Sequence, residues 1–410
     1  MQAASGYAGL VRPDEVHHRV YTDPQVFDAE MDRIFGRTWV FVGHESEIPR
    51  PGSFKTELVG ARRPLLLVRD RAMRVHAFYN VCRHRGAKLC QDEYGTASSF
   101  MCLYHGWTYD TDGRFLGAPL QKRMRNFDPA AQGLVEVPRL ACRRGFIFAS
   151  LASDGASLDD HLGRAGHYID MMVDRAPDGE IEAAYPVKYR YDGNWKLQLD
   201  NYADNAHAAV LHQVALGVGR ANNARYYANA GANSFMERTM PHGHWVGDYR
   251  GSRGITWMDA YDDAYLAALE RRVGDNRARE LLELDLHVLI YPNLLLHTRT
   301  NHYRVVRPLR VDHTEVWTYP CRLKGASGRV NEHVIRYASH HTSPMGEIQV
   351  DDMQALGWVQ EGMASNAIEW YGLRLDGIDE HVNPDGETES IDSSERALRN
   401  HFQEWQRLMA

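Results

Sequence analysis

The sequence lacks the features that would mark it as secreted, membrane-spanning or bound to nucleic acid. Only five of its 410 residues are cysteine. That is too few for a disulfide-stapled extracellular protein, and the odd number is typical of a reducing compartment. No run approaches the roughly 18 consecutive apolar residues of a transmembrane helix, and the N-terminus has no basic and apolar signal segment. The net charge of −7 comes without a long basic run, which argues against a nucleic-acid partner. These absences predict a cytoplasmic protein.

The composition is that of an ordinary globular chain, with 44% hydrophobic and 25% charged residues. The length predicts roughly two to three domains, and three stretches with different patterns follow one another. Residues 1–37 predict a short helix that Asp23 caps and Pro24 begins. Residues 38–155 hold short strand-like segments separated by turns, typical of a small antiparallel sandwich or barrel. Residues 156–410 mix strands and helices, so the chain is predicted to be α+β rather than doubly wound.

The third stretch contains several distinct secondary-structure signals. Strand-like residues 187–191 lead into a helix that begins at Asn194. One long helix is predicted over residues 262–284 and one strand over residues 286–297. Further strands and helices follow, and the pattern predicts a closing helix over residues 394–409.

A first candidate metal site has the pattern C-x-H-x17-C-x2-H, formed by Cys82, His84, Cys102 and His105. A Rieske [2Fe–2S] centre needs two thiolates on one iron and two imidazoles on the other. A structural zinc site uses the same residue types, but zinc motifs usually group Cys with Cys and His with His. Each half carries one of each here, which favours the Rieske cluster. The other three cysteines have no partner at ligand spacing and are expected to be buried apolar thiols: Cys90, Cys142 and Cys321.

A second candidate site lies between Asn194 and His212. Two imidazoles and a carboxylate on one side of an iron ion form the facial triad of non-haem Fe(II) oxygenases, which leaves the other side open for O2. Asp200, Asp204 and His207 recur at helical spacing and are expected to share one helix face. His212 follows His207 by five residues, about 140° around an ideal helix. Both can bind one metal only if the helix is distorted between them or ends before His212.

The motifs resemble those of the Rieske non-haem iron oxygenases, in particular the large (α) subunits of aromatic-ring-hydroxylating dioxygenases. The resemblance rests on N-x-C-x-H-R-G over 80–86, C-x2-H-x-W over 102–107 and N-W-K-L…D-N-x-x-D-x-x-H-x4-H over 194–212. It implies an all-β Rieske domain (38–155) placed before an α+β, helix-grip-like catalytic domain (156–410) with an antiparallel sheet. The N-terminal helix is expected to pack on the catalytic domain.

The resemblance also implies the site residues. His207, His212 and Asp352, the second member of an acidic pair, are expected to hold a mononuclear Fe(II). Asn201 and Asp204 are the candidate catalytic residues, and Asp204 is expected to join a cluster histidine, His105, of one subunit to His207 of the next. The candidate pocket residues, by motif position, are Asn205, Val210, Leu211 and Ile348. The family pattern usually has Glu at position 200 and Tyr at position 206, where this chain has Asp and Ala.

The partners and the reaction follow from the same resemblance. An external ferredoxin or NAD(P)H-dependent reductase is expected to supply electrons, because the chain has no complete G-x-G-x-x-G motif. An electron route across subunits implies a ring of three α subunits, with or without three β subunits. The resemblance implies hydroxylation of an aromatic substrate, with cis-dihydroxylation as the expected reaction. The pattern around Asp352 looks more like the salicylate- and terephthalate-type branch than the naphthalene-type, which favours an aromatic acid. A monooxygenase or O- or N-demethylase would share these motifs, and a non-catalytic Rieske electron carrier would lack the iron-binding triad.

Overall fold

The structure is a computed structural model of the 410-residue chain. The described residues are 6–215, 217, 235–250, 261–346, 348–391 and 394–410. The chain forms two compact units, one of residues 35–158 and one of residues 1–34 together with 159–410. In the described part of the chain, no helix combines the length and the apolar character needed to cross a bilayer.

The chain begins in the larger unit with two short strands and two helices. These are β1 (Val11–Arg12), β2 (Glu15–His17), α1 (Arg19–Thr22) and α2 (Pro24–Arg33). The predicted start of α2 is confirmed, because the Asp23 side chain accepts a hydrogen bond from the Gln25 amide and Pro24 is the first helical residue.

The smaller unit is all-β and contains three open antiparallel sheets. Their strand orders are β6-β5-β4-β7, β10-β9-β8 and β11-β12-β3. The strands are β3 (Val40–His44), β4 (Ser53–Val59), β5 (Arg63–Arg69), β6 (Val75–Tyr79), β7 (Tyr94–Thr96), β8 (Ser99–Met101), β9 (Thr108–Asp110), β10 (Phe115–Gly117), β11 (Arg139–Arg143) and β12 (Phe146–Ser150). None of the three sheets closes on itself, so the barrel alternative is wrong.

The larger unit is built on a ten-stranded antiparallel sheet of order β13-β20-β19-β18-β17-β16-β15-β23-β22, with β14 also paired to β20. Its strands are β13 (Ile181–Ala183), β14 (Val187–Tyr191), β15 (Met236–Thr239), β16 (Trp245–Asp248), β17 (Leu286–Ile290), β18 (Leu294–His297), β19 (His302–Arg310), β20 (His313–Leu323), β22 (Ile378–Val382) and β23 (Thr388–Ile391). Strand β21 (Trp370–Gly372) pairs with β2. The α+β prediction with an antiparallel sheet is confirmed.

Two element predictions in this unit are wrong. The single strand expected over residues 286–297 is a hairpin, because the chain reverses after Ile290 and Leu289 pairs with Leu295. The single helix expected over residues 262–284 is broken at Gly274, whose φ of +82° ends one helix and starts the next.

The helices of the larger unit cover its sheet. They are α3 (Leu158–Leu162), α4 (Ala165–Asp174), α5 (Trp195–Ala203), α6 (Ala208–Leu211), α7 (Asp263–Val273), α8 (Asp275–Leu282), α9 (Gly328–Thr342), α10 (Gln349–Ala364) and α11 (Arg396–Met409). Helix α5 packs against β16, β17 and β19, and α10 packs against β14 and α5. Helix α10 carries Asp352, and α5 leads into the segment that carries His207 and His212.

A buried carboxylate ties three of the helices together. Glu30 of α2 is fully buried and accepts hydrogen bonds from Trp195 Nε1 at 2.8 Å and Lys196 Nζ at 2.6 Å, both on α5. It also accepts one from Trp405 Nε1 of α11 at 2.7 Å. The contacts hold α5 against both chain ends, so they support the helix that leads into the metal site.

Candidate metal centres

Two equivalent loops in the smaller unit carry the Cys-His motifs. Each loop is closed by two backbone hydrogen bonds. The amide of the cysteine donates to the carbonyl of the fifth residue after it, and the amide of the fourth residue, a glycine, donates to the carbonyl of the cysteine. The glycines, Gly86 and Gly106, have φ values of +74° and +70°, which side chains with a Cβ rarely adopt. Each motif therefore needs its glycine for the turn that presents the ligands.

The four predicted cluster ligands lie on these two loops. Cys82 and Cys102 are 2% and 1% exposed. Both cysteines belong to one cluster of buried core residues. The Nδ1 atoms of His84 and His105 lie 3.1 Å apart, with the two rings nearly perpendicular. Burial, with a further contribution from His84, holds the pKa of His105 below its ordinary value, so the neutral imidazole that a metal requires is favoured. Two buried thiols and two converging imidazole nitrogens on adjacent motif loops are the donor set of a Rieske [2Fe–2S] cluster.

A tyrosine that the sequence motifs did not indicate lies beside one of the thiols. The hydroxyl of Tyr109 on β9 is 3.3 Å from Cys82 Sγ and accepts a hydrogen bond from the Arg83 amide at 3.1 Å. Because its oxygen accepts from Arg83, its own proton is available to the sulfur. Burial, followed by Cys82 itself, raises the pKa of Tyr109, so the phenol keeps that proton. No spacing rule would have found this residue, since its contact depends on the fold.

The expectations for the remaining cysteines are confirmed in two cases of three. Cys90 and Cys321 are buried, whereas Cys142 on β11 is exposed. The expectation for Cys142 was wrong because β11 lies at the end of its three-stranded sheet, where it has only one neighbouring strand.

In the larger unit, His207, His212 and Asp352 come together as a potential metal site, with one ligand atom from each residue within 4.8 Å of the others. Asp352 Oδ1 lies 3.6 Å from His207 Nε2 and 3.2 Å from His212 Nε2. His212 and Asp352 are buried, and His207 is half-buried. Two imidazoles and one carboxylate that converge in this way are the donor set of a non-haem Fe(II) centre.

The backbone around the two histidines is irregular, as their spacing predicts. Helix α5 ends at Ala203, and Asp204 has the extended conformation with φ −98° and ψ 125°. His207 is the N-cap of the four-residue helix α6, and His212 lies just past its end. The break lets both imidazoles face one point, although five residues separate them.

The same break makes one sequence interpretation wrong. Asp200 and Asp204 do not share a helix face with His207, because the helix stops between them. Asp200 accepts a hydrogen bond from the Tyr21 hydroxyl at 2.7 Å and lies 2.9 Å from His401 Nε2. It therefore anchors the helix to both chain ends rather than serving the metal site.

A carboxylate holds the second ring nitrogen of each histidine. Asp204 Oδ2 lies 3.1 Å from His207 Nδ1, and Asp351 Oδ2 lies 3.4 Å from His212 Nδ1. Burial alone would raise the pKa of Asp204, but hydrogen bonds from His207 and the backbone lower it below the ordinary value. Carboxylates in these positions keep a proton on Nδ1, which leaves each Nε2 lone pair for a metal. Sequence reasoning identified Asp204 but not the role of Asp351.

Asn201 is the predicted catalytic residue that reaches the ligand atoms. Its Nδ2 donates to Asp352 Oδ1 at 3.1 Å and lies 3.3 Å from His207 Nε2. Of the predicted pocket residues, three are half-buried: Asn205, Leu211 and Ile348. Val210 is 70% exposed, which gives no support for a place in an apolar pocket.

Comparisons with known proteins identify the families of both parts of the chain. Residues 38–128 match the Rieske [2Fe-2S] domain, and residues 179–410 match the ring hydroxylating alpha subunit (catalytic domain). The chain is 32% identical to the toluate 1,2-dioxygenase subunit alpha of Pseudomonas putida, over 85% of this chain and 79% of that one. It is 31% identical to the 2-halobenzoate 1,2-dioxygenase large subunit of Burkholderia cepacia, over 86% and 78%.

The fold is similar to that of a solved ring-hydroxylating enzyme. Naphthalene 1,2-dioxygenase with indole bound in its active site superimposes with a TM-score of 0.85 and 25% identity, over 98% of this chain and 92% of that one. The family resemblance inferred from the motifs is confirmed, and so are the two cofactors it implies, a Rieske [2Fe–2S] cluster and a mononuclear iron. The chain belongs to the ring-hydroxylating oxygenase alpha subunits, in which a Rieske domain precedes a catalytic iron domain.

Proposed function

We propose that this chain is the oxygenase component of a system that cis-dihydroxylates an aromatic carboxylic acid, with electrons from a ferredoxin or an NAD(P)H-dependent reductase. The observation that carries the proposal is a complete facial-triad donor set in the same chain as a complete Rieske donor set. The similarity to enzymes named for toluate and 2-halobenzoate supports an aromatic acid as substrate and dioxygenation as the reaction.

The proposed ligand assignment follows the two donor sets. Cys82, Cys102, His84 and His105 would hold the cluster. The mononuclear iron would be held by His207, His212 and Asp352. When bound, the cluster supplies single electrons and the ferrous ion supplies open coordination positions for O2. Asn201 would orient the Asp352 carboxylate through its hydrogen bond.

Asp204 is proposed as the bridge between the two centres of neighbouring subunits. One of its oxygens holds His207 Nδ1, and its side chain remains 32% exposed. On the cluster side, His105 is half-exposed. A carboxylate that contacts an iron-ligand imidazole on one subunit and a cluster imidazole on the next would join the two metals by a short path. This arrangement requires a ring of α subunits, for which we propose three, with or without β subunits.

The proposal is tested by metal analysis and product analysis of the purified protein with a reconstituted reductase. We expect about three irons per chain, two in the cluster and one in the triad. With benzoate, 3-methylbenzoate, 2-chlorobenzoate and 2-aminobenzoate as substrates under 18O2, we expect a product in which both new oxygen atoms are labelled. His207→Ala should keep the cluster absorption and lose the product.

Three results would contradict the proposal. About two irons per chain would indicate an electron carrier. Products with one labelled oxygen would indicate a monooxygenase or demethylase. Oxidation of neutral arenes with no reaction of any acid would refute the substrate class alone.

A further inference from the structure

A buried arginine lies on the sheet beneath the helices of the iron site. Arg304 on β19 is 7% exposed. Its Nη1 donates to Gln349 Oε1 at 2.9 Å, and its Nε donates to His302 Nε2 at 3.3 Å. Neither partner is a carboxylate, and among the described residues no carboxylate is within ion-pair distance of Arg304. The nearby Arg299, by contrast, has Asp285 at 2.8 Å. A guanidinium removed from water without a counter-charge is costly, so this position is suited to an anion supplied by a ligand.

Other buried polar groups around Arg304 also have unused hydrogen-bonding capacity. Within the described residues, Gln349 Nε2, Gln198 Nε2 and Thr318 Oγ1 have no hydrogen-bond partner, and all three residues are 1% exposed or less. Thr318 is the β20 residue paired with Arg304 in the sheet. The amide orientations are set by contacts, because Gln349 Oε1 accepts from Arg304 and Gln198 Oε1 accepts from Tyr189. Both free amide nitrogens are donors, which suits an anion.

Two helices set the positions of Gln349 and Gln198 relative to the iron ligands. On α10, Gln349 precedes Asp352 by three residues, and on α5, Gln198 precedes Asn201 by three. Each pair therefore lies on one helix face, about 5 Å apart along the axis. Desolvation raises the pKa of the buried Tyr189, Arg304 lowers it, and Asp352 raises it further, so this phenol lies close enough to feel both side chains. An anionic group on Arg304 would thus place an attached aromatic ring beside the iron ligands.

We infer that Arg304 recognises the carboxylate of an aromatic acid substrate, with Gln349 as a supporting donor. A guanidinium presents N–H groups in a planar fork that matches a carboxylate, which makes it the strongest side-chain partner for that group. The inference rests on the proposed function, because it assumes an aromatic acid as substrate. Arg304 would then determine specificity, selecting acids over neutral arenes, while the iron ligands determine the reaction.

The experiment measures binding to the iron-loaded holoenzyme by isothermal titration calorimetry. Four aromatic acids serve as ligands, namely benzoate, 3-methylbenzoate, 2-chlorobenzoate and 2-aminobenzoate, each paired with its neutral amide. For the wild type, we expect the best acid to bind more tightly than its amide. Arg304→Gln should raise the Kd of that acid about 10- to 100-fold, since a hydrogen bond to a charged group is lost, and should change the Kd of the amide less than threefold. Arg304→Lys should retain part of the affinity for the acid, because it keeps the charge and loses the fork.

A matched control is Arg310→Gln, which removes an exposed arginine from the same strand and should leave both Kd values unchanged. Iron content and cluster absorption equal to those of the wild type show that the variants are folded. If Arg304→Gln and Arg304→Lys both bind the acid as tightly as the wild type, Arg304 is not the anchor, although an aromatic-acid substrate would still stand. If the wild type prefers no acid to its amide, the proposed substrate class fails and the inference fails with it.

Discussion

At the scale of single residues, each iron-ligand histidine is held from behind by its own carboxylate. Asp204 holds His207 and Asp351 holds His212, at 3.1 and 3.4 Å. The two carboxylates have the same local task, but only Asp204 is proposed to reach a neighbouring subunit. This difference makes the pair a natural comparison.

Once loaded with both metals, Asp204→Ala is expected to lose turnover about 10- to 100-fold or more, because the proposed path from cluster to iron is interrupted. Asp351→Ala should weaken iron binding to a similar degree through the loss of support for His212, yet keep electron transfer in the iron-loaded protein. The measurement is the rate at which the reduced cluster is reoxidised in a single turnover with substrate and O2. Equal rates in Asp204→Ala and the wild type would show that Asp204 does not carry electrons between the two centres.

Tyr109 offers a second prediction at this scale. A hydrogen bond to a ligand sulfur stabilises the more negative, reduced cluster, so its loss should lower the reduction potential. If the bond is worth about 1 kcal/mol more in the reduced state, Tyr109→Phe should lower the potential by about 40 mV for one electron.

The potential is measured by redox titration of the cluster signal. The control is Tyr104→Phe, which removes the hydroxyl of an exposed tyrosine next to His105 and should leave the potential unchanged. A potential in Tyr109→Phe equal to that of the wild type would show that the hydroxyl does not donate to the sulfur.

The residues that could be predicted from sequence are those whose role requires a fixed local spacing. Two ligands on one tight turn must be close in sequence, so Cys82 with His84, and His207 with His212, were visible as motifs. Asp351, Tyr109 and Arg304 were not, because each acts through a contact between segments far apart in the chain.

At the scale of elements, the short helix before the second histidine explains how H-x4-H becomes a metal site. The sequence predicted an irregularity there from geometry alone. On an ideal helix the two histidines would point about 140° apart, so they could not both bind one ion. It could not predict that Asp204 would be the residue at which the helix ends, because an aspartate is compatible with both a helix and a turn.

The hairpin of β17 and β18 and the break at Gly274 were missed for a related reason. A buried strand pair is easily taken for one apolar run, and the turn residues Pro292 and Asn293 between Leu289 and Leu294 were the signal that could have revealed the hairpin. A single glycine within a helical pattern is compatible with both a continuous helix and a break.

The contact of three helices on Glu30 gives a prediction of stability. Burial lowers the pKa of Lys196, and Glu30 opposes that shift, so the lysine depends on this carboxylate to stay charged. Glu30→Gln should destabilise the protein by about 3 to 5 kcal/mol, because it leaves a buried ammonium without a counter-charge. The double variant Glu30→Gln with Lys196→Met should recover at least half of that loss, since neither charge remains. Urea unfolding of the three proteins tests this, and a double variant no more stable than the single one would contradict it.

At the scale of the whole molecule, the two units divide the chemistry. The all-β unit contributes two buried cysteines and two histidines, and the α+β unit contributes the triad, whose two histidines follow a helix that both chain ends hold in place. The sequence-based domain prediction rested on the change in periodicity along the chain. The return of residues 1–34 to the larger unit followed only from the family resemblance, because no local pattern reports a contact between chain ends.

The dependence of folding on pH is a property of the whole chain to which one buried histidine contributes strongly. His244 is 1% exposed; its Nδ1 accepts from the Tyr291 amide at 3.1 Å, and its Nε2 lies 2.8 Å from the His161 carbonyl. Its single proton therefore sits on Nε2, and a second proton would meet the Tyr291 N–H. Burial, followed by the effect of His242, lowers the pKa of His244 from 6.5 to about 4.

The sign of the effect follows from proton counting. Between pH 6.5 and 4, the unfolded chain binds a proton at this position and the folded chain does not, so stability falls as the solution is acidified. The full shift corresponds to about 3 kcal/mol. We expect the urea midpoint to fall between pH 7 and pH 5 in the wild type, and to fall less in His244→Gln, whose amide can donate to the His161 carbonyl without titrating. His381→Gln, a change at an exposed histidine of β22, should reproduce the wild-type slope. An equal slope in His244→Gln and the wild type would show that acid unfolding of this protein begins elsewhere.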